Sequence, residues 1–90
     1  MESAAIFIFS LHAFADAAAS RDVTYIETQK AVRAGNAIER ISPGRSIRTS
    51  VKAILEAVSD TTRQRAARSL KLKLLRLELR LSGPLKIEPV

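Results

Sequence analysis

Residues 61–84 read TTRQRAARSLKLKLLRLELRLSGP, and the fold class of the chain turns on them. From Leu75 to Leu81 leucine alternates with Arg76, Glu78 and Arg80, the period of a half-buried strand. The same leucines also obey a helical period. Leu70, Leu74, Leu77 and Leu81 form one stripe, and Leu72, Leu75 and Leu79 form a second on the opposite side. Periodicity leaves both readings open, and propensity favours helix. Leu, Arg, Lys and Glu are good helix formers, and no β-branched residue occurs between Ala66 and Leu81. A helix apolar on two sides implies assembly contacts. Gly83-Pro84 should end it, leaving residues 83–90 as a flexible tail after a single helical domain over 1–82.

Upstream, Ile47, Val51, Ile54, Leu55 and Val58 make the next apolar set. Were one straight helix to run from residue 25 to 58, this set would point about 180° from Ala31, Ala34, Ile38 and Ile41 at 100° per residue. The chain therefore turns or kinks at Pro43-Gly44. Ser42 is the expected N-cap of the new helix and Pro43 its first residue. Before it, Thr24 and Glu27 have capping-box spacing, which predicts a helix beginning near Tyr25.

The N-terminal segment AAIFIFSLHAFADAAAS is apolar over most of its circumference, with Ala4, Phe7, Leu11, Phe14 and Ala18 in one stripe. All three phenylalanines lie here and are expected in the core. Ala15-Asp16-Ala17 mimics a signal-peptide cleavage site, but Glu2 is the only charge before the run, where a leader needs a basic start. His12 and Asp16 interrupt a run already short for a bilayer. The segment reads as a buried helix of the domain itself. Such a helix needs cover on several sides, which in 90 residues points to a second copy of the chain.

Charge is unevenly placed. Residues 1–29 hold one base against four acids, a net −3, whereas residues 30–80 hold thirteen bases against four acids, a net +9. A block of this kind attracts phosphate, on nucleic acid or on lipid. Within it, Gln29, Arg33, Asn36 and Arg40 fall on the helix face opposite Ala31, Ala34 and Ile38. They form a ridge about 16 Å long. Arg45, Arg48 and Lys52 form a second basic ridge on the next helix. Long polar and guanidinium side chains on one face suit contacts to phosphate and sugar.

Other chemistry is poorly provided for. There is no cysteine, so neither a disulfide nor a thiolate metal site can form, which fits a reducing compartment and an expected cytoplasmic location. His12 has no cluster of carboxylates with which to hold a metal, and no cofactor is implied. Gly35, Gly44 and Gly83 are isolated, with no phosphate loop and no nucleophile motif, so the expectation is a non-enzyme. Tyr25 is the only aromatic beyond Phe14, which argues against base stacking on single strands. Duplex RNA, read by shape through phosphates and 2′-hydroxyls, suits rigid polar ridges better.

Over roughly residues 3–60 the chain resembles the small RNA-silencing suppressors of nodaviruses. The likeness rests on an alanine-rich first helix ending in AAAS, a turn containing VTY, and a second helix with AVRAGNAIER, where Val32-Arg33 matches a Val-Arg of the family. LLRLELRLS is similar to a basic, leucine-rich C-terminal segment of some members. The resemblance implies an all-helical protomer built on a long antiparallel helix pair, dimerising into a bundle whose long helices lie along double-stranded RNA. By motif it carries over Arg33 alone, because Pro43 departs from the family's unbroken second helix. The expectation is thus an all-α protein: an antiparallel helical hairpin with further amphipathic helices, assembled as a dimeric bundle on double-stranded RNA. Two other readings use the same residues. The leucine-rich segment could dock on other proteins, or residues 61–81 could lie on an anionic membrane surface.

Overall fold

A computed structural model describes residues 2–82, with side chains from Ala4 onward; the expected C-terminal tail, 83–90, lies outside the described residues. Four helices occur in it: α1 (Glu2–Ser20), α2 (Tyr25–Ile41), α3 (Ile47–Leu55) and α4 (Asp60–Ser82). No strand occurs among the described residues, so the leucine-rich segment is helix. Its residues lack the β-branching that would favour a pleated surface, and its helical stripe has a core to enter.

Each chain reversal has a local cause. Thr24 Oγ1 accepts from Glu27 N at 3.1 Å, and Thr24 N donates back to the Glu27 carboxylate at 2.9 Å, closing the expected capping box of α2. Ser42 is not the N-cap of α3. It caps the other end of α2, its N–H donating to Ile38 O at 2.7 Å. The chain then makes a tight turn through Gly44 at φ +83°, and α3 starts four residues later than Pro43 suggests. Glycine is suited to that left-handed position because it has no Cβ to clash. Helix α4 is capped by Ser59, whose Oγ accepts from Thr62 N at 3.2 Å.

Helix α1 packs on α2 and α4, and α3 packs on the same two, so the four form a ring. The α1–α4 pair is antiparallel. Reading along α1, His12 meets Glu78 at 3.4 Å, Asp16 meets Lys71 at 3.0 Å, and Ala18 O accepts from Arg63 Nε at 2.9 Å. Helices α2 and α3 approach closely at Gly35, where an added Cβ would lie 3.6 Å from both Arg48 Cα and Val51 Cγ2. The core between the helices is built from Leu11, Phe14, Ile38, Ile47, Leu70, Leu74 and Leu77, all fully buried. Each large side chain so covered contributes about 1.5–3 kcal/mol of transfer free energy.

Several expected core positions lie outside it. Phe9 is 74% exposed, because α1 is covered by α2 and α4 on one side only. Ile41 and Leu81, the last members of their stripes, are about half exposed at 45% and 47%. With Phe9 they line an open cleft where the N-terminus of α1 meets the C-termini of α2 and α4. Leu55 is 39% exposed, and Val58 is fully in solvent beyond the end of α3. The helical period loses its meaning there: Glu56 N and Ala57 N already close the last turn on Lys52 O and Ile54 O. The second leucine stripe of α4, Leu72, Leu75 and Leu79, is exposed along its length.

Candidate nucleic-acid interface

Among the described residues Asp16, Asp22, Glu27, Asp60 and Glu78 are each engaged by a basic side chain. Arg21 Nη2 lies 2.6 Å from Glu27 Oε2, and this hydrogen bond, with that from Thr24 N, holds the Glu27 carboxyl below the ordinary range. The same contact raises the Arg21 guanidinium further above its already high value. Arg63 bridges Asp22 at 3.6 Å and Asp60 at 3.0 Å, and Lys71 pairs with Asp16. These contacts join α1, α4 and the α1–α2 turn. None of the ion pairs among the described residues involves a base of α2 or α3.

The ridge expected on α2 is present. Arg33 and Arg40 are exposed and Gln29 and Asn36 half-buried, while Ala31, Ala34 and Ile38 turn inward. The pattern follows from an amphipathic helix whose small apolar residues admit a neighbour and whose long side chains cannot be desolvated cheaply.

The second ridge divides. Arg48 and Lys52 project from α3 and join Asn36 of α2 around a groove of about 320 Å³, floored by Val32, Val51 and Leu55. One polar side chain of α2 and two bases of α3 thus share one surface. Arg45 is not part of that ridge. It lies in the turn before α3 begins, half-buried, facing α4 rather than the groove. There it meets Lys73, Arg76 and Arg80, which the reading of α4 as an assembly element passed over. Their spacing of three and then four was legible as one helix face. That they meet Arg45 was not, because the meeting depends on where the Pro43-Gly44 turn sends the chain.

His12 is half-buried, its Nε2 directed at Glu78 and its Nδ1 buried without a partner. Among the described residues no group of three or more His, Asp or Glu could hold a metal ion, and no helix is long and apolar enough to cross a membrane. No family model matches the chain, and neither a curated protein nor a solved structure matches it.

Proposed function

We propose that this protein is a non-enzymatic binder of double-stranded RNA that grips the sugar-phosphate backbone without reading sequence. The observation that carries the reading is the set of exposed bases on α2 and α3, Arg33, Arg40, Arg48 and Lys52, none of which has a carboxylate partner among the described residues. Unneutralised guanidinium and ammonium groups on rigid helices release counterions when they meet phosphate, and that release drives backbone binding. Gln29 and Asn36 supply amides beside them for phosphate or 2′-hydroxyl oxygens. The groove holds no aromatic on which bases could stack. Occupancy then shields the duplex from nucleases or silencing enzymes in the cytoplasm, the role that the resemblance to nodavirus suppressors implies.

In this reading the acting species is a homodimer, assembled through the exposed stripe Leu72, Leu75 and Leu79. The same stripe supports a second reading, a subunit that docks on another protein. Gel-shift titrations with duplex RNA, duplex DNA and single-stranded RNA, each at several salt concentrations, test the first. Duplex RNA should bind more tightly than single strands of equal length, with a steep salt dependence. Equal or tighter binding to single-stranded RNA would overturn it.

A further inference from the structure

The meeting of Arg45 with α4 creates a second basic feature, distinct from the α2 ridge and the α2–α3 groove. A notch of about 180 Å³ opens between the turn Gly44, Arg45, Ser46 and the side chains of Lys73, Arg76 and Arg80. Four cations border it, and none of them forms an ion pair among the described residues. Glu78 is directed towards His12, whereas the Glu39 carboxylate lies at the rim, accepting from Gly44 N at 3.4 Å without forming an ion pair with any of the four cations. Packing four like charges together is costly, and a bound anion relieves the repulsion.

Two further features lie beside this space. Arg45 Nε is buried and has no hydrogen-bond partner, which is expensive for a charged donor. Helix α3 also begins here, behind Ser46 at φ +63°, with no side-chain cap on its first-turn N–H groups. An uncapped N-terminus carries partial positive charge and free donors. Lys73 is held at the rim by its bond to Ser50 Oγ at 2.7 Å, so that part of the cationic wall is pre-positioned.

We infer that this notch is a phosphate-binding site, with the Arg45 guanidinium as the fork and Arg76 and Arg80 closing over the anion from α4. A planar guanidinium whose two Nη groups donate in parallel fits two phosphate oxygens. The space admits one phosphate group and not a whole nucleotide. On the proposed function, which this inference extends, the group is a backbone phosphodiester of the duplex. The site then pins the strand at the end of the protomer where α3 begins. The same chemistry would serve a free phosphate ion, and the test separates the two.

The experiment uses the full chain. Inorganic phosphate is titrated against chloride at equal ionic strength, following the Arg45 Nε–H and the Gly44 to Ser46 amide resonances by NMR. Short duplex RNA is then added as competitor. In parallel, duplex affinity and its salt slope are measured for Arg45→Lys, Arg76→Ala, Arg80→Ala and, as a control at the far end of α4, Arg65→Ala. The expected result is a saturable phosphate shift at these resonances, absent in Arg76→Ala/Arg80→Ala and reversed by duplex. Arg45→Lys, which keeps the charge but loses the fork, should lower duplex affinity about tenfold, one charge-assisted hydrogen bond. Each Ala variant of the notch should reduce the salt slope by about one unit, with Arg65→Ala unchanged. A phosphate shift that duplex does not reverse supports the notch as a free-phosphate site and overturns its assignment to the duplex backbone. No phosphate shift, with normal slopes in the notch variants but a reduced slope in Arg33→Ala, overturns the notch and leaves duplex binding standing.

Discussion

Lys73 Nζ donates to Ser50 Oγ at 2.7 Å, tying the longest helix to the shortest where Ser50 is the only buried polar side chain among the described residues. A half-buried ammonium needs an acceptor, and the hydroxyl supplies it. Ser50→Ala should therefore destabilise the protein by about 1 kcal/mol in urea unfolding. Adding Lys73→Met to that variant should recover most of the loss, since both partners are then apolar. A double variant weaker than Ser50→Ala alone would show that Lys73 contributes through something other than this bond.

Gly35 offers a stabilising substitution. Its missing Cβ would meet Arg48 Cα and Val51 Cγ2 at 3.6 Å, ordinary contact distance. Gly35→Ala should raise stability by about 0.5–1 kcal/mol, because alanine loses less backbone entropy in a helix interior. Gly35→Leu should lower it by forcing α2 and α3 apart. Thermal unfolding of the two variants checks both signs.

The α1–α2 turn should be acid-sensitive. Glu27 accepts from Arg21 and from Thr24 N, and its carboxyl is held below the ordinary range. A depressed carboxyl adds stability above its unfolded pKa, about 4.3, and loses it as pH falls through the lower folded value. The advantage of wild type over Glu27→Gln should therefore be present at pH 7 and vanish at strongly acidic pH. Glutamine can still complete the capping box but carries no charge. Thr24→Ala, which removes the other half of the box, should cost about 1 kcal/mol with little dependence on pH. Urea midpoints at the two pH values distinguish these patterns.

The two leucine stripes of α4 should respond in opposite ways. Leu74 is fully buried, and Leu74→Ala should cost about 2–5 kcal/mol. Leu79 is 74% exposed, and Leu79→Ala should change protomer stability by less than about 0.5 kcal/mol. If the proposed homodimer uses the outer stripe, Leu72→Glu with Leu79→Glu should yield a folded monomer in sedimentation. A wild-type chain that is itself a monomer at micromolar concentration ends that proposal.

The α2 ridge predicts a uniform loss. Arg33→Ala and Arg40→Ala should each weaken duplex RNA binding alike on unrelated sequences, and lower the salt slope by about one unit. Helicity should persist, since both side chains are exposed and alanine is the better helix former. Unchanged affinity and slope in both would place the duplex on another surface.

What the sequence by itself determined is local. The Thr24–Glu27 capping box and the inward face of α2 depend on spacing, and the helical preference of residues 70–81 on propensity, both of which act within a few turns of chain. The ridge Gln29, Arg33, Asn36 and Arg40 follows from the same periodicity. Only the tertiary structure decided which side of a two-faced helix is covered. Leu70, Leu74 and Leu77 went inward while Leu72, Leu75 and Leu79 stayed in solvent, because α1 and α3 sit on the same side of α4. It also decided that Arg45 leaves Arg48 and Lys52 for Lys73, Arg76 and Arg80, almost thirty residues or more away along the chain. That pairing rests on a turn through a left-handed glycine and on the packing of α3 against α4, and neither is encoded in the spacing of the charges.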